Sequence, residues 1–180
     1  MSEIDWNERL LNSSNGDRAA LRRCVGKTLN QADADALRVF YSTLPINTSS
    51  WKQERYFAVM CLSCLWKLEE ALNPKPFEQC IHDCVDPARS NGIYARVRSI
   101  LDTEWDDDDG YLLIKLARMA KLIKNNDRPL YPDFAKLLYD LFNWNENNRK
   151  VQRRWAEVIF EGIKKNEDNE DNENNESEEN

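Results

Sequence analysis

The sequence contains five cysteines and a single histidine, residue types that often bind metal ions in proteins. Two of the cysteines have the spacing Cys61-x-x-Cys64, and a second group follows as Cys80-x-His82-x-Cys84. A structural zinc ion needs four sulfur or nitrogen ligands, and C-x-x-C is a common half of such a site. The first pair, however, lies in an apolar run that predicts a helix and has no glycine for a zinc knuckle. We therefore expect buried thiols, no metal and no cofactor.

Consecutive carboxylates offer the second possible chemistry. Asp106–Asp109 could bind Mg²⁺, but neighbouring carboxylates in a loop point in different directions and lack the alternation of an EF-hand loop. The sequence also has no G-x-S-x-G, no glycine-rich phosphate loop and no H-E-x-x-H. These residues favour a solvated acidic loop and give little basis for catalysis.

Charge is distributed unevenly along the chain. The formal net charge is -7, yet residues 167–180 hold eight acids and no base. Without those eight, 24 of the 32 acids remain against 25 lysines and arginines, so the rest of the chain is close to neutral. Because nucleic-acid binding follows local charge, the pI of 4.9 does not exclude such a partner.

Bases cluster on segments with helical periodicity. Over Tyr111–Lys124 an apolar stripe repeats with helical spacing, and four bases fall on the opposite side. Two further clusters lie near the N-terminus and between residues 149 and 154. Arginine suits phosphate because its planar guanidinium is always charged and can bond it bidentately. The bases of these clusters are Arg18, Arg22, Arg23, Lys27, Lys115, Arg118, Lys121, Lys124, Arg149, Lys150, Arg153 and Arg154.

Two alternatives to a polyanion-binding surface remain open. The basic side of Tyr111–Lys124 is also compatible with an ordinary solvated helix face. Arg22 or Arg23 could instead be an internal residue that forms an ion pair with Glu54 or Asp102. Since the two arginines are adjacent on one helix, we expect one to face phosphate and the other to be structural.

Helical patterns must position these side chains. We find no period-two pattern of useful length, so we predict an all-α fold. Trp51, Trp66, Trp144 and Trp155 occupy core-compatible positions, whereas Trp6 and Trp105 could be exposed. The first predicted helix begins at Arg18 with Asp17 as its cap, and the second runs from Asp33 or Asp35 to Pro45. A long, buried central helix is predicted from Trp51 to Leu72, and a short element at Phe77–Val85. The remaining predicted helices are Ile93–Leu101, Tyr111–Lys124, Tyr131–Trp144 with Pro132 in its first turn, and Asn148–Lys165.

Length and composition predict two small helical lobes. We assign residues 1–86 to an N-terminal lobe, residues 87–165 to a C-terminal lobe, and residues 166–180 to a disordered acidic tail. No run of eighteen apolar residues predicts a membrane span, and residues 1–5 lack the apolar core of a secretory signal. A cytoplasmic protein with reduced cysteines is therefore expected.

Seven ordered motifs resemble a known family. They are Arg18-Ala-Ala-Leu-Arg-Arg23, Phe40-Tyr-Ser-Thr-Leu44, Trp51-x-x-Glu-Arg-Tyr-Phe57, Tyr94-Ala-Arg-Val-Arg98, Leu113-Ile-Lys-Leu-Ala-Arg118, Phe134-Ala-Lys-Leu-Leu-Tyr-Asp-Leu-Phe-Asn-Trp144 and Val151-Gln-Arg-Arg-Trp-Ala156. Each is a helical pattern with few distinctive residues, but their order and spacing resemble the CasB family. That family is the small subunit of the type I-E CRISPR Cascade complex.

The resemblance implies an all-helical, non-enzymatic subunit. It implies contacts with the guide RNA, the target DNA, the displaced strand, the backbone and large subunits, and a second copy of the chain. The positions that match the family's basic residues are Arg22, Arg23, Arg96, Arg98, Arg118, Lys121 and the 149–154 cluster. Such a subunit needs only a cationic surface, because base pairing reads the target sequence. The acidic tail and Asp106–Asp109 depart from the family pattern.

A helical adaptor is the alternative function. Its acidic tail would engage a basic partner protein, and the nearly neutral charge of the rest of the chain is compatible with that role. A small metal-dependent enzyme is a third hypothesis, and it would require a bound metal ion.

Overall fold

In the computed structural model the described residues are 5–67, 73–85, 90–106 and 109–161. Nine α-helices and one short 3₁₀ helix, Leu29–Gln31, run through these ranges. The α-helices are α1 (Asp5–Leu11), α2 (Asn15–Arg23), α3 (Ala34–Thr43), α4 (Ser50–Ser63), α5 (Phe77–Asp83), α6 (Ser90–Leu101), α7 (Tyr111–Lys124), α8 (Phe134–Phe142) and α9 (150–161). The all-α prediction is confirmed.

A single isolated bridge is the only extended pairing within those ranges. Lys75 donates its N–H to the Tyr131 carbonyl over 2.9 Å, and Asp133 donates to the Lys75 carbonyl over 2.7 Å. The bridge ties the segment before α5 to the segment before α8. No helix in the described part of the chain is long and apolar enough to cross a membrane.

Polar caps begin three of the helices. The Asp33 carboxylate accepts the Ala36 N–H at the start of α3, and Asp133 accepts the Lys136 N–H at the start of α8. At α2 the predicted cap, Asp17, is wrong, because Ser14 is the cap and Asp17 completes a capping box with it.

Helix α4 forms the centre of the core, as predicted. Every residue from Glu54 to Ser63 is buried, and α4 packs against α2, α7 and α8. Its predicted continuation through Trp66 is wrong. After Ser63 the chain makes tighter i→i−3 hydrogen bonds, and the buried Trp66 indole donates to the Leu130 carbonyl over 2.8 Å. The predicted end at Leu72 lies outside the described residues.

Helices α8 and α9 begin later than predicted, and α6 begins earlier, at Ser90 rather than Ile93. Helix α8 begins at Phe134 rather than Tyr131, because Asp133 caps it and Pro132 belongs to the bridge segment. Helix α9 begins at residue 150 rather than 148, after Arg149 adopts a left-handed conformation with φ of 51°. The predicted tail, residues 166–180, lies outside the described ranges.

The core contains side chains from both predicted lobes. Arg55 of α4 donates from Nε to the Leu141 carbonyl over 3.1 Å. Phe77 stacks on Trp155, and Trp155 meets Trp144 edge to face with ring centroids 5.1 Å apart. The division into lobes at residue 86 stays a prediction, and contacts across it hold α4 and α5 against α8 and α9.

Candidate nucleic-acid interface

Helix α7 has one buried and one basic side. Its predicted apolar stripe is buried throughout, which confirms the periodicity. On the opposite side Arg118, Lys121 and Lys124 are exposed, together with the apolar side chains of Tyr111 and Ile114. Three of the four predicted cations of this helix therefore face solvent along one surface.

The fourth cation, Lys115, caps helix α6. Its Nζ donates to the Ser99 carbonyl over 3.1 Å and to the Thr103 hydroxyl over 2.5 Å. The last carbonyls of a helix lack intrahelical partners, and the helix dipole favours a cation there. Lys115 thus stabilises the end of α6 while it remains at the edge of the basic surface.

A groove of about 420 Å³ lies between α6 and α7. Its lining includes three cations and no carboxylate, so its electrostatics suit an anion. The lining residues are Arg96, Ser99, Ile100, Lys115, Arg118 and Met119. We call this the α6–α7 groove.

Arg98 lies on another side of α6. It is one turn beyond Tyr94, so the two side chains share a face of the helix. The Tyr94 ring contacts Phe160 of α9 with centroids 5.4 Å apart. Arg98 is exposed on the face of α6 that carries Tyr94 and does not line the α6–α7 groove.

Arg22 and Arg23 are both exposed on α2, so neither is the internal strut considered from the sequence. Arg23 makes only long ion pairs, 3.9 Å to Asp33 and 4.0 Å to Asp35, between exposed side chains. Exposed pairs of this kind contribute about 1 kcal/mol or less because water and salt screen them.

The carboxylates considered as partners for Arg22 or Arg23 have other contacts. Glu54 accepts the Leu29 N–H over 2.7 Å. Asp102 lies 3.7 Å from Arg149. The expected internal ion pair of Arg22 or Arg23 with Glu54 or Asp102 is therefore wrong.

The cations at the start of α9 differ in their contacts within the protein. Arg149 donates to the Leu101 carbonyl over 2.6 Å, which gives the end of α6 a second cationic cap. Arg149, Lys150 and Arg153 are all exposed, so all three extend the basic surface, and Arg149 does so while it caps α6.

Arg154 belongs to a charge network around two buried carboxylates. Its Nε lies 3.1 Å from Glu78 Oε1, and its Nη2 lies 2.5 Å from Asp140 Oδ2. Lys136 lies 3.6 Å from Glu78 and 3.4 Å from Asp140. The Trp155 indole donates to Asp140 over 3.0 Å. The network joins α5, α8 and α9, and both of its carboxylates are buried.

Burial and pairing act in opposite directions on the Arg154 guanidinium. Burial alone would lower its pKa, but the hydrogen bond and charge of Asp140, together with Glu78, outweigh burial and raise it. Two buried carboxylates need their cations, because an unpaired buried charge is costly. Arg154 is therefore bound within the protein, unlike its neighbour Arg153.

The cysteines are buried free thiols, as the apolar helical run predicted. Burial raises the pKa of Cys61 well above its usual value, and raises the pKa of Cys64 and Cys80 to about 12 and that of Cys84 to about 11. A protonated thiol is a poor nucleophile and a poor metal ligand. In the described ranges no group of three or more His, Cys, Asp or Glu side chains is placed to hold a metal ion.

Asp106 and Asp109 are exposed at the ends of the acidic loop, and Asp109 donates its N–H to the Asp106 carboxylate over 3.1 Å. Asp107 and Asp108 lie outside the described residues. The two described carboxylates are solvated, in agreement with the loop expected there.

Three tryptophans differ from the sequence prediction. Trp6 and Trp105 are buried rather than exposed, whereas Trp51 is 47% exposed. Lys52 and Arg55 lie over the Trp51 ring at 5.5 and 5.3 Å from its centroid. Trp51 is in the first turn of α4, where helical periodicity gives little information about burial. An exposed aromatic ring with two cations is thus a feature that the sequence analysis missed.

Comparison with protein families identifies a match over most of the described chain. The family model of the CRISPR-associated protein Cse2 matches residues 17–158. A search of curated proteins found no match.

Solved structures have the same fold. CasB from M. ruber superposes with a TM-score of 0.67 at 21% identity, covering 92% of this chain and 98% of that chain. CasB from Thermus thermophilus gives 0.69 at 22% identity, with 89% and 99% covered. A chain of a CRISPR RNA-guided surveillance complex gives 0.64 at 19% identity, with 89% and 90% covered.

The family match spans all helices from α3 to α8 and includes the exposed cations of α2, α6 and α7. Its boundaries also contain the charge network of Glu78, Asp140 and Arg154. The chain belongs to the Cse2 family of CRISPR-associated proteins, which is the CasB family that its ordered motifs resemble.

Proposed function

We propose that this chain is the non-catalytic small subunit of a type I-E CRISPR RNA-guided surveillance complex, or Cascade, in antiviral defence. In that role it binds the guide RNA, the target DNA and the displaced strand, and so stabilises the R-loop. Its protein partners are the backbone subunits, the large subunit and a second copy of itself. Membership of the Cse2 family supports the assignment to this system.

The basic surface of α6 and α7 is the observation that carries the proposal. Arg118, Lys121 and Lys124 are exposed along α7, and Arg96 lines the adjoining α6–α7 groove. A surface that follows a phosphate backbone needs exposed cations in a row and no base-reading groups. Arg22, Arg23, Arg98, Lys150 and Arg153 are further exposed candidates on other helices.

The chemistry of this surface fits a task without sequence selection. In an RNA-guided complex base pairing reads the target, and protein cations hold the backbones. Each phosphate contact releases counterions, so binding should weaken steeply as salt increases. Lys115, Arg149 and Arg154 form internal contacts and would contribute to the surface mainly through their charge.

The test removes two exposed cations from α7 in the assembled complex. Arg118→Ala with Lys121→Ala should lower target-DNA affinity about tenfold or more at physiological salt, because two phosphate contacts are lost. Affinity is measured by filter binding of labelled target DNA to complexes assembled with either the unchanged chain or the double variant. Circular dichroism should match the unchanged chain, since both side chains are exposed.

A matched control removes one arginine and one lysine elsewhere. Arg38 pairs with Asp17 over 2.6 Å and Lys75 pairs with Asp83 over 2.7 Å, both at the surface. The double variant Arg38→Ala with Lys75→Ala should leave DNA affinity within about twofold, since neither residue belongs to the proposed surface. Equal affinity of the α7 variant and the control would refute the proposed role of α7.

The helical adaptor remains the second candidate because of the eight acids in residues 167–180. Electrophoretic mobility of single-stranded DNA separates the two functions, using the full chain and a chain that ends at Lys165. If neither chain shifts the DNA, and the complex holds its R-loop without this subunit, the adaptor function is favoured.

A further inference from the structure

We propose that the α6–α7 groove binds the chain's own acidic segment, residues 166–180, and that nucleic acid must displace this segment before it can bind there. The proposal rests on the proposed function only for the identity of the competing ligand. The occupant itself follows from the charge of the groove, from the position of α9 and from the length of chain beyond it.

Charge complementarity is the first argument. The groove has Arg96, Lys115 and Arg118 in its lining and no carboxylate. Residues 166–180 contain eight acids and no base. Carboxylate and phosphate bind the same guanidinium geometry, so a groove that suits a phosphate backbone also suits a run of Glu and Asp.

Proximity is the second argument. The described part of α9 ends at residue 161, directly after Phe160, and the Phe160 ring contacts Tyr94 of α6. Tyr94 is one helical turn from the exposed Arg98 and two residues before Arg96, so it lies on α6 but on a different side of that helix from the groove. The acidic segment therefore leaves the described structure beside the helix that forms one wall of the groove.

Reach is the third argument. Helix α6 has twelve residues and is about 18 Å long. The first acid, Glu167, is six residues beyond Glu161, which an extended chain covers with about 20 Å. All eight acids can therefore reach the groove from the end of α9. Attachment to the same chain keeps them at roughly millimolar effective concentration.

The first measurement detects the contact without nucleic acid. The chain has three methionines: Met119 lines the groove, Met60 is fully buried in α4, and Met1 precedes the described residues. Labelling the methionine methyl groups with ¹³C gives three resonances. Replacing the eight acids by the matching amides keeps the segment's length and should shift the Met119 methyl, while Met60 stays unchanged and reports an intact core.

Salt and groove variants supply the controls. At about 0.5 M salt the Debye length falls to roughly 4 Å, so the Met119 resonances of the two chains should converge. In a chain with Arg96→Gln and Arg118→Gln, replacing the acids should no longer shift Met119. These two results would separate binding in the groove from a general effect of net charge.

The second measurement uses oligothymidylate as the nucleic-acid probe. At about 50 mM salt the affinity of the amide-substituted chain for oligothymidylate should exceed that of the native chain by about fivefold or more. A change of this size is typical when two ligands compete or are coupled in one protein. At about 0.5 M salt the ratio should approach one.

The combined outcomes separate this proposal from the proposed function. If Met119 shifts but neither chain binds DNA, the groove contact stands and nucleic-acid binding by the free chain does not. If DNA binds equally to both chains and Met119 is unmoved, the segment does not occupy the groove, while nucleic-acid binding stands. If both signals respond, the segment competes with DNA for the groove.

Discussion

Arg153 and Arg154 are sequence neighbours with different surroundings. Arg153 is exposed on α9, whereas Arg154 lies between the buried carboxylates of Glu78 and Asp140. Sequence pattern treats the two as one basic cluster, because both lie on a helix with few local acids. The difference arises because Glu78 is 76 residues away in the sequence and becomes a neighbour only through folding.

Removing Arg154 should destabilise the protein. Arg154→Ala leaves Lys136 as the one described cation beside Asp140 and Glu78, and we expect the free energy of unfolding to fall by about 2 kcal/mol. Urea unfolding followed by tryptophan fluorescence measures the change. Arg153→Ala is the matched control and should alter stability by less than about 0.5 kcal/mol. Equal effects of the two substitutions would contradict the structural role of Arg154.

The cysteine thiols should be unreactive in the native protein. With a pKa of about 12 for Cys64 and Cys80 and about 11 for Cys84, only about one thiol in a thousand or fewer is ionised at pH 8. We expect slow reaction with a chromogenic disulfide reagent at pH 8 and immediate reaction of all five thiols in guanidinium chloride. A rapid native reaction of one thiol would show an accessible cysteine and contradict the burial.

At the scale of elements, the sequence predicted every described α-helix except α1, and it located the helix boundaries less well. Helix α7 has the predicted bounds because its apolar repeat is unbroken over fourteen residues. Helices α4 and α8 were predicted too long. Their ends are set by the Trp66–Leu130 hydrogen bond and by the bridge at Lys75, which are contacts between distant segments.

Two glycines should respond in opposite ways to alanine. Gly110 precedes α7 with φ of 62°, and a Cβ there would lie 2.9 Å from Thr28 Cγ2. Gly110→Ala should cost about 1–2 kcal/mol. Gly92 lies in α6, where an added Cβ would meet no atom within 4 Å, so Gly92→Ala should stabilise by about 0.5–1 kcal/mol. Thermal unfolding measures the stability change of both variants. Changes of the same sign would contradict the different backbone conformations assigned to Gly110 and Gly92.

At the scale of the whole molecule, the two predicted lobes share buried contacts. Arg55 donates to Leu141, and Trp66 donates to Leu130, so α4 and its extension hold the segments around α8. Arg154 joins α9 to Glu78 of α5 in the same way. Each of these contacts would leave a buried polar group without a partner if one lobe unfolded alone.

The chain should therefore unfold in one cooperative step. Far-ultraviolet circular dichroism reports all helices, and fluorescence reports the six tryptophans. We expect the two urea transitions to coincide, as two-state unfolding requires. Two resolved transitions would show that the lobes at residues 1–86 and 87–165 are independently stable.

Local periodicity by itself determined the all-α fold, the buried centre of α4, the basic side of α7 and the buried cysteines. These properties follow from residues within a few helical turns of one another. Only the tertiary structure decided which cations make contacts within the protein. Lys115, Arg149 and Arg154 are engaged by Thr103, Leu101 and Asp140. The same holds for the exposure of Trp51 and the burial of Trp6 and Trp105. Each of these outcomes depends on a partner from another segment, which periodicity along one helix cannot encode.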